Sequence, residues 1–158
     1  MIISIENQSI FRDAKYMRDE AIIIPVNSVG VMGKGLALAA KRKYPSLAKE
    51  YGEMHSCGVL KPGWVGLVEG DKMKNIPNFA VACTKNHWKD PSQYEWIQKA
   101  VRGLAWAAPH FGFSRLKIPP LGCGLGGLEW DRVKPMIQEV FEPLTDLTAI
   151  VYEPVRAI

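Results

Sequence analysis

The chain has 158 residues, 47% of them hydrophobic, and this size and composition fit a single globular domain with a sizeable core. Its formal net charge of +4 suits a polyanionic partner without demonstrating nucleic-acid binding. Three widely spaced cysteines without a C-x-x-C pair indicate neither a zinc site nor a disulfide framework, and no apolar run approaches the length of a membrane span.

The start of the chain and the residue usage also predict where the protein acts. Residues 1–6 reach their first charge too early for a secretory signal peptide, so we expect a cytoplasmic protein with reduced thiols. No cluster of Asp, Glu or His has the spacing of metal ligands, so we expect neither a metal nor another cofactor.

Strands and helices alternate in the first half of the chain. The continuous apolar run at residues 21–26 predicts a strand that is buried on both faces, as in a parallel sheet under helices. Hydrophobic spacing predicts a short helix over residues 10–19, with one apolar face made by Ile10, Phe11, Ala14 and Met17. The remaining predicted elements of this half are a strand at 1–5 and helices at 36–44 and 45–55.

The second half continues the alternation. Ser92 is predicted to cap a helix over residues 93–108, with Glu95 at the capping-box position. The other predicted elements are strands at 64–69, 79–83, 116–119 and 147–152 and a helix at 131–141. This order predicts one domain over residues 1–158, built as a three-layer α/β/α sandwich around a mixed, centrally parallel sheet.

Three polar or glycine-rich loops follow predicted strands. We call residues 27–35 the first glycine loop, residues 84–90 the lysine loop and residues 122–127 the second glycine loop. Ligands bind at the carboxyl ends of the strands in such sheets, so we expect all three loops to meet at one rim.

The second glycine loop predicts a phosphate site. Four of its six residues are glycine, which lets a ligand approach the main chain, and the helix that follows points its free N–H groups towards the loop. The spacing Gly122-x-Gly124-x-x-Gly127 matches a dinucleotide-binding fingerprint, but the loop comes too late in the chain for a Rossmann domain. The alternative interpretation is a tight turn without a ligand.

The first glycine loop resembles a Walker A loop only superficially. Gly35 follows Gly33-Lys34, where a Walker A loop needs Ser or Thr for magnesium. We therefore do not expect a magnesium-dependent nucleotide hydrolase.

The three loops together resemble the macrodomain family, and most closely the DarG-type DNA ADP-ribosyl glycohydrolases, which are related to terminal ADP-ribose protein glycohydrolase. The resemblance covers nearly the whole chain. Its motifs are Val26-Asn27-Ser28-Val29-Gly30-Val31-Met32-Gly33-Lys34-Gly35-Leu36-Ala37, then Thr84-Lys85-x-His87-Trp88, then Pro119-Pro120-Leu121-Gly122-Cys123-Gly124-Leu125-Gly126-Gly127-Leu128-Glu129-Trp130.

This resemblance implies an ADP-ribose cleft. Asn27 would contact the distal ribose, the two glycine loops would wrap the diphosphate, and Ser9 and Ile10 would contact the adenine. The family usually has Asp or Asn where Ser9 stands, so a hydroxyl replaces the charged acceptor, and Tyr152 could add a stacking face. The implied ligand-binding residues are Ser9, Ile10, Asn27, Val31, Met32, Gly33, Lys34, Gly35, Leu121, Gly122, Cys123, Gly124, Leu125, Gly126, Gly127 and Tyr152.

The resemblance also implies catalytic roles for Lys85, Asn27 and His87. Lys85 would act at the anomeric carbon of the distal ribose, either as a nucleophile or by stabilising the leaving group. His87 would act as an acid or base, or it would only order the loop beside Trp88. Gly126 stands where the terminal glycohydrolase has its partner aspartate, which agrees with the DarG-type pattern.

The implied activity is hydrolytic removal of ADP-ribose from a target, with DNA bases as the leading candidate. Arg12, Lys15 and Arg18 supply cations for a single DNA strand, and so do Lys85 and Lys89 beside Trp88. The alternatives are a phosphatase or esterase acting on free ADP-ribose derivatives and a reader that binds without cleaving. We expect a monomer, no membrane partner and a companion ADP-ribosyltransferase toxin.

Overall fold

A computed structural model describes residues 1–155, and the last three residues of the predicted domain lie outside that range. The described residues form six strands and four helices. In chain order these are β1 (Ile2–Ile5), β2 (Glu20–Asn27), α1 (Gly35–Lys43), α2 (Pro45–Ser56), β3 (Val65–Val68), β4 (Asn78–Lys85), α3 (Tyr94–His110), β5 (Arg115–Ile118), α4 (Trp130–Phe141) and β6 (Thr148–Tyr152).

The strands form one mixed sheet in the order β1-β6-β5-β2-β4-β3. Only the edge strand β3 is antiparallel to its neighbour, and the four pairings among the other strands are parallel. One buried cluster joins α3 and α4 to one face of the sheet, and a second joins α1 and α2 to the other. The predicted three-layer sandwich with a centrally parallel sheet is therefore confirmed.

The central strand β2 explains why both faces are covered. Ile23 belongs to the cluster under α3 and α4, whereas Ile22 and Ile24 belong to the cluster under α1 and α2. All three side chains are almost fully buried. Successive side chains of a strand point to opposite faces, so a continuous apolar run requires a protein layer on each side.

The predicted helix over residues 10–19 is wrong, because the segment folds as consecutive turns. Asp13 has φ +56, a left-handed backbone conformation that interrupts a right-handed helix. Ile10, Phe11 and Ala14 nevertheless pack against the cluster under α1 and α2. The apolar spacing therefore reflected burial of one side of the segment rather than helical periodicity.

The predicted cap of α3 is also wrong. The helix begins at Tyr94 with Gln93 in the N-cap position, and no side chain caps it. The Ser92 hydroxyl is buried and has no hydrogen-bond partner among the described residues.

The sheet order brings the three loops together. Strands β5, β2 and β4 are adjacent and parallel, so the loops after them leave from the same edge. The expectation that the two glycine loops and the lysine loop share one rim is confirmed. No helix among residues 1–155 is both long and apolar enough to cross a membrane.

Candidate functional site

A cleft of about 750 Å³ lies at this rim, between the three loops. The predicted site residues in its wall are Asn27, Val31, Gly33, Lys34, Gly35, Lys85, Gly122, Cys123, Gly124, Leu125 and Gly126. A second cavity of about 600 Å³ beside β3 is lined mainly by apolar side chains and contains none of the predicted site residues. The chemistry-bearing residues therefore single out the cleft at the rim.

Seven predicted site residues are not in the cleft wall. Met32 and Leu121 are buried in the two core clusters, beneath the loops that carry them. Ile10 and Tyr152 are buried in the cluster under α1 and α2. The remaining three residues outside the wall are Ser9, His87 and Gly127.

The wall also contains residues that sequence reasoning did not place there. Trp88 and Ser92 belong to the segment between β4 and α3, and Pro154 and Val155 directly follow β6. Pro154 and Val155 could have been predicted from the sequence, because residues that directly follow a parallel strand lie at the ligand-binding edge of the sheet. The other additional wall residues are Pro25, Val26, Leu36, Ala37, Thr84, Pro119 and Pro120.

The N-terminus of α1 offers the cleft a site for an anion. Gly35, Leu36 and Ala37 form the start of the helix and line the wall. Lys34 occupies the N-cap position without a side-chain cap, and the first turn contains no acidic residue. The free N–H groups and the helix dipole therefore favour a negatively charged group here.

The helix after the second glycine loop does not contribute in the same way. Helix α4 begins at Trp130 and carries Asp131 in its first turn, and neither residue lines the cleft. The sequence predicted that the helix after the second glycine loop points its dipole at the ligand. In the structure, the helix whose N-terminus faces the cleft is α1, which follows the first glycine loop.

Asn27 is held by a dense hydrogen-bond network at the end of β2. Its Oδ1 accepts from the backbone N–H groups of Val29 and Val31, each at 3.2 Å, and its Nδ2 donates to the carbonyl of Val31 at 2.8 Å. The hydroxyl of Tyr51 lies 2.9 Å from the same Oδ1 and 2.6 Å from the backbone oxygen of Asn27. One N–H of the Asn27 amide remains for a ligand.

Tyr51 was not predicted, yet it orients this amide from beneath the loop. Burial raises the pKa of the Tyr51 phenol, so the hydroxyl remains a hydrogen-bond donor at every physiological pH. A phenol on α2 gives no sequence signal of this role, because the contact joins residues that are 24 positions apart.

We expect Tyr51→Phe to lower the free energy of unfolding by about 1–3 kcal/mol, because it removes the buried hydroxyl that donates to the backbone oxygen and the Oδ1 of Asn27. Urea unfolding measures this change. The control is Tyr44→Phe, since the hydroxyl of this buried tyrosine has no side-chain hydrogen bond within the part of the chain that the structure covers. Equal losses in the two variants would contradict the role of the Tyr51 hydroxyl.

Lys85 joins the lysine loop to the second glycine loop. Its Nζ donates to the carbonyl of Leu125 at 2.9 Å and to that of Trp88 at 3.2 Å. Burial lowers the pKa of the Lys85 amine, and the charge of Asp90 partly offsets this effect. The nitrogen has three positions besides its bond to Cε. The two carbonyls occupy two of them, so the third is available to a ligand in the cleft.

His87 and Cys123 have local structural contacts. The Nδ1 of His87 accepts from the backbone N–H of Lys89 at 3.1 Å, and its ring lies 5.3 Å from the ring of Trp88 between centroids. Burial raises the pKa of the Cys123 thiol to about 11, so it is protonated at neutral pH and is not an activated nucleophile. Within residues 1–155, no cluster of three or more His, Cys, Asp or Glu could hold a metal.

Comparison with known proteins supplies the family. Residues 23–137 match the macro domain family. A DNA ADP-ribosyl glycohydrolase of Thermus aquaticus is 37% identical over 140 residues, which are 87% of this chain and 38% of that relative. The human ADP-ribose glycohydrolase OARD1 is 30% identical over 121 residues, which are 77% of this chain and 73% of that relative. The chain thus covers only 38% of the length of the DNA ADP-ribosyl glycohydrolases that it matches.

Solved structures agree with this assignment. The macrodomain of Mycobacterium tuberculosis DarG matches with a TM-score of 0.86 at 30% identity and covers 98% of each chain. Thermosipho africanus DarTG in complex with ADP-ribose matches with a TM-score of 0.81 at 28% identity, over 95% of this chain and 41% of that chain. The sequence resemblance is confirmed, and the chain belongs to the macro domain family.

Proposed function

We propose that the chain is an ADP-ribose-binding hydrolase that removes ADP-ribosyl groups from DNA bases without a cofactor. The single observation that carries the proposal is Lys85, whose Nζ lies in the wall of the cleft between the lysine loop and the second glycine loop. Relatives named for hydrolysis of ADP-ribosyl groups on DNA support the target class.

The order of the strands supports one orientation of ADP-ribose along the rim of the sheet. Pro154 and Val155 follow β6, the glycine loops follow β5 and β2, and Lys85 ends β4. Three strand spacings of about 4.8 Å separate β6 from β4, so an elongated ligand of about 14 Å spans the rim. We propose adenosine at the apolar β6 end, the diphosphate at the N-terminus of α1, and the distal ribose beside Lys85 and Asn27.

Lys85 would act on the anomeric carbon of the distal ribose. Hydrolysis consumes one water, whose oxygen ends on that carbon, while a proton goes to the departing base. A lysine whose pKa is lowered by burial has more of the neutral amine with a free lone pair, which suits nucleophilic attack. In that route Nζ bonds to the anomeric carbon as the bond from this carbon to the base breaks, and water then displaces Nζ from the carbon. His87 lies within the same loop and would order it, and its ring is the nearby group that could move a proton.

Trp88 supports a nucleobase as the leaving group. Its side chain lines the cleft and is 43% exposed, its carbonyl binds Lys85, and the Nζ of Lys89 lies 5.0 Å from its ring centroid. Bases stack on exposed aromatic rings, and a neighbouring cation binds the phosphate of a single strand. Lys15 and Arg18 do not extend this positive surface, because their neighbours Tyr16 and Asp19 are hydrogen-bonded to Asn75 and Ser114 at the opposite end of the sheet.

We expect Trp88→Ala to raise KM for ADP-ribosylated single-stranded DNA about fivefold or more, because stacking contributes about 1–3 kcal/mol per base. Affinity for free ADP-ribose should change less. Trp106→Ala is the matched control, since Trp106 is 72% exposed on α3 and lies outside the cleft wall. Steady-state kinetics on the three proteins checks the prediction, and an unchanged KM for Trp88→Ala would contradict base stacking.

The target class is tested by turnover on three substrates side by side: ADP-ribosylated single-stranded DNA, ADP-ribose 1″-phosphate and O-acetyl-ADP-ribose. We expect the highest kcat/KM on DNA, with a steep decrease between about 50 and 200 mM salt as phosphate contacts are screened. The slope of log kcat/KM against log salt concentration should be about −0.7 for each phosphate contact to the single strand. Preference for a free derivative, with no salt dependence, would favour the phosphatase or esterase alternative. Binding of ADP-ribose without turnover on any substrate would favour a reader.

The partners follow from the same proposal. A relative from Thermosipho africanus is named as a fusion of a DNA ADP-ribosyl transferase with a DNA ADP-ribosyl glycohydrolase, and it is 32% identical over 143 residues. We propose that this chain, as one macrodomain over residues 1–158, acts as a monomer and reverses the modification made by a companion transferase.

A further inference from the structure

The hydroxyl of Ser92 is a buried polar group that the network around Lys85 and Asn27 leaves unused. Ser92 lines the cleft and is only 4% exposed, and its Oγ has no hydrogen-bond partner among residues 1–155. An unpaired buried hydroxyl is unfavourable in the ligand-free protein, because it has lost water without gaining a partner. Each such group in a native structure requires an explanation, and a functional role is one of them.

Ser92 is attached directly to the second glycine loop, next to the residue that Lys85 contacts. Its backbone N–H donates to the carbonyl of Gly126 at 2.9 Å, while Lys85 donates to the carbonyl of Leu125. A Cβ added to Gly126 would lie 2.5 Å from the Ser92 Oγ, so the hydroxyl lies immediately beneath Gly126. The backbone of Ser92 and the side chain of Lys85 therefore bind consecutive residues of one loop.

The cleft needs an acceptor at this end, and Ser92 can provide one. Ribose hydroxyls both donate and accept hydrogen bonds, but the loop N–H groups and the protonated form of Lys85 only donate. The Oδ1 of Asn27 already has hydrogen bonds from Val29, Val31 and Tyr51. The Ser92 Oγ has two free lone pairs as well as its proton.

We propose that Ser92 is a ligand-binding residue for the distal ribose, and that its hydroxyl is exposed when the Gly126 peptide shifts as the ligand enters. This inference rests on the proposed ADP-ribose site. Glycine permits such a backbone shift at low cost because it has no Cβ. The same contact explains why position 126 has no room for a side chain.

The test is calorimetric titration of wild type, Ser92→Ala and Ser114→Ala with ADP-ribose and with ADP, which lacks the distal ribose. We expect Ser92→Ala to weaken ADP-ribose binding roughly five- to tenfold, the effect of one lost hydrogen bond, and to leave ADP binding unchanged. Ser114 lies at the other end of the sheet, where its hydroxyl contacts Asp19, so Ser114→Ala should leave the affinities for both ligands unchanged.

Thermal unfolding of the ligand-free proteins separates this role from a structural one. Removing an unpaired buried hydroxyl should leave the Tm of Ser92→Ala equal to or above that of wild type, whereas loss of a helix cap would lower it. A lower Tm, equal weakening of both ligands, or unchanged ADP-ribose affinity in Ser92→Ala would overturn the inference alone. Failure of the wild type to bind ADP-ribose would overturn the proposed function as well.

Discussion

Lys85→Ala is expected to reduce the rate of ADP-ribose release from DNA about 10²-fold or more while leaving ADP-ribose affinity within a few-fold of wild type. The physical reason is the position of the Lys85 amine. Its Nζ lies at the wall of the cleft, where it binds carbonyls of both the lysine loop and the second glycine loop. Single-turnover release measures the chemical step, and calorimetry measures binding separately. A rate within threefold of wild type would contradict a chemical role.

Two further lysine variants make this result specific. Lys49→Ala removes an exposed lysine of α2 outside the cleft and should leave the rate unchanged. Lys85→Arg keeps the positive charge but has no accessible neutral form. Substantial activity in Lys85→Arg would favour stabilisation of the leaving group, whereas activity as low as that of Lys85→Ala would favour attack by the neutral amine.

Gly126→Ala is expected to weaken ADP-ribose binding about fivefold or more. The added Cβ would lie 2.5 Å from both the Gly122 carbonyl oxygen and the Ser92 Oγ, so the second glycine loop must shift. Overpacking of this kind costs about 1–3 kcal/mol. If this cost falls on the ligand-bound state, each 1.4 kcal/mol raises Kd about tenfold. Calorimetric titration with ADP-ribose checks the prediction.

The matched control is Gly52→Ala in α2, where an added Cβ meets no atom within 4 Å. This variant should bind ADP-ribose like the wild type and should be at least as stable, because Ala favours helix over Gly. Binding of ADP-ribose by Gly126→Ala within twofold of wild type would contradict a requirement for close packing of Gly126 against Gly122 and Ser92 in the bound state.

The fold and the positions of the loops could be predicted from the sequence because they depend on local patterns of residues. The apolar run of β2 predicted a strand buried on both faces, and the glycine spacing predicted loops at the strand ends. The segment at residues 10–19 failed because burial of one side produces the same apolar spacing as a helix, and the left-handed residue Asp13 leaves no signal of its own.

The finer features of the cleft depend on contacts between distant residues. Tyr51 reaches Asn27 from α2, and Ser92 reaches Gly126 across the start of α3. The sequence assigned Ser92 to a helix cap because that is the common role of serine before a helix. Pro154 and Val155 enter the wall only because β6 lies beside β5 in the sheet, which is a property of the topology.

The most direct test of the central claim is release of ADP-ribose by the wild type from a single-stranded oligonucleotide that carries one ADP-ribosylated base. Chromatography of the products would identify both the nucleotide and the DNA. The account predicts stoichiometric release of ADP-ribose and recovery of the unmodified oligonucleotide. Recovery of the intact modified strand, from a protein that calorimetry shows to bind ADP-ribose, would contradict it.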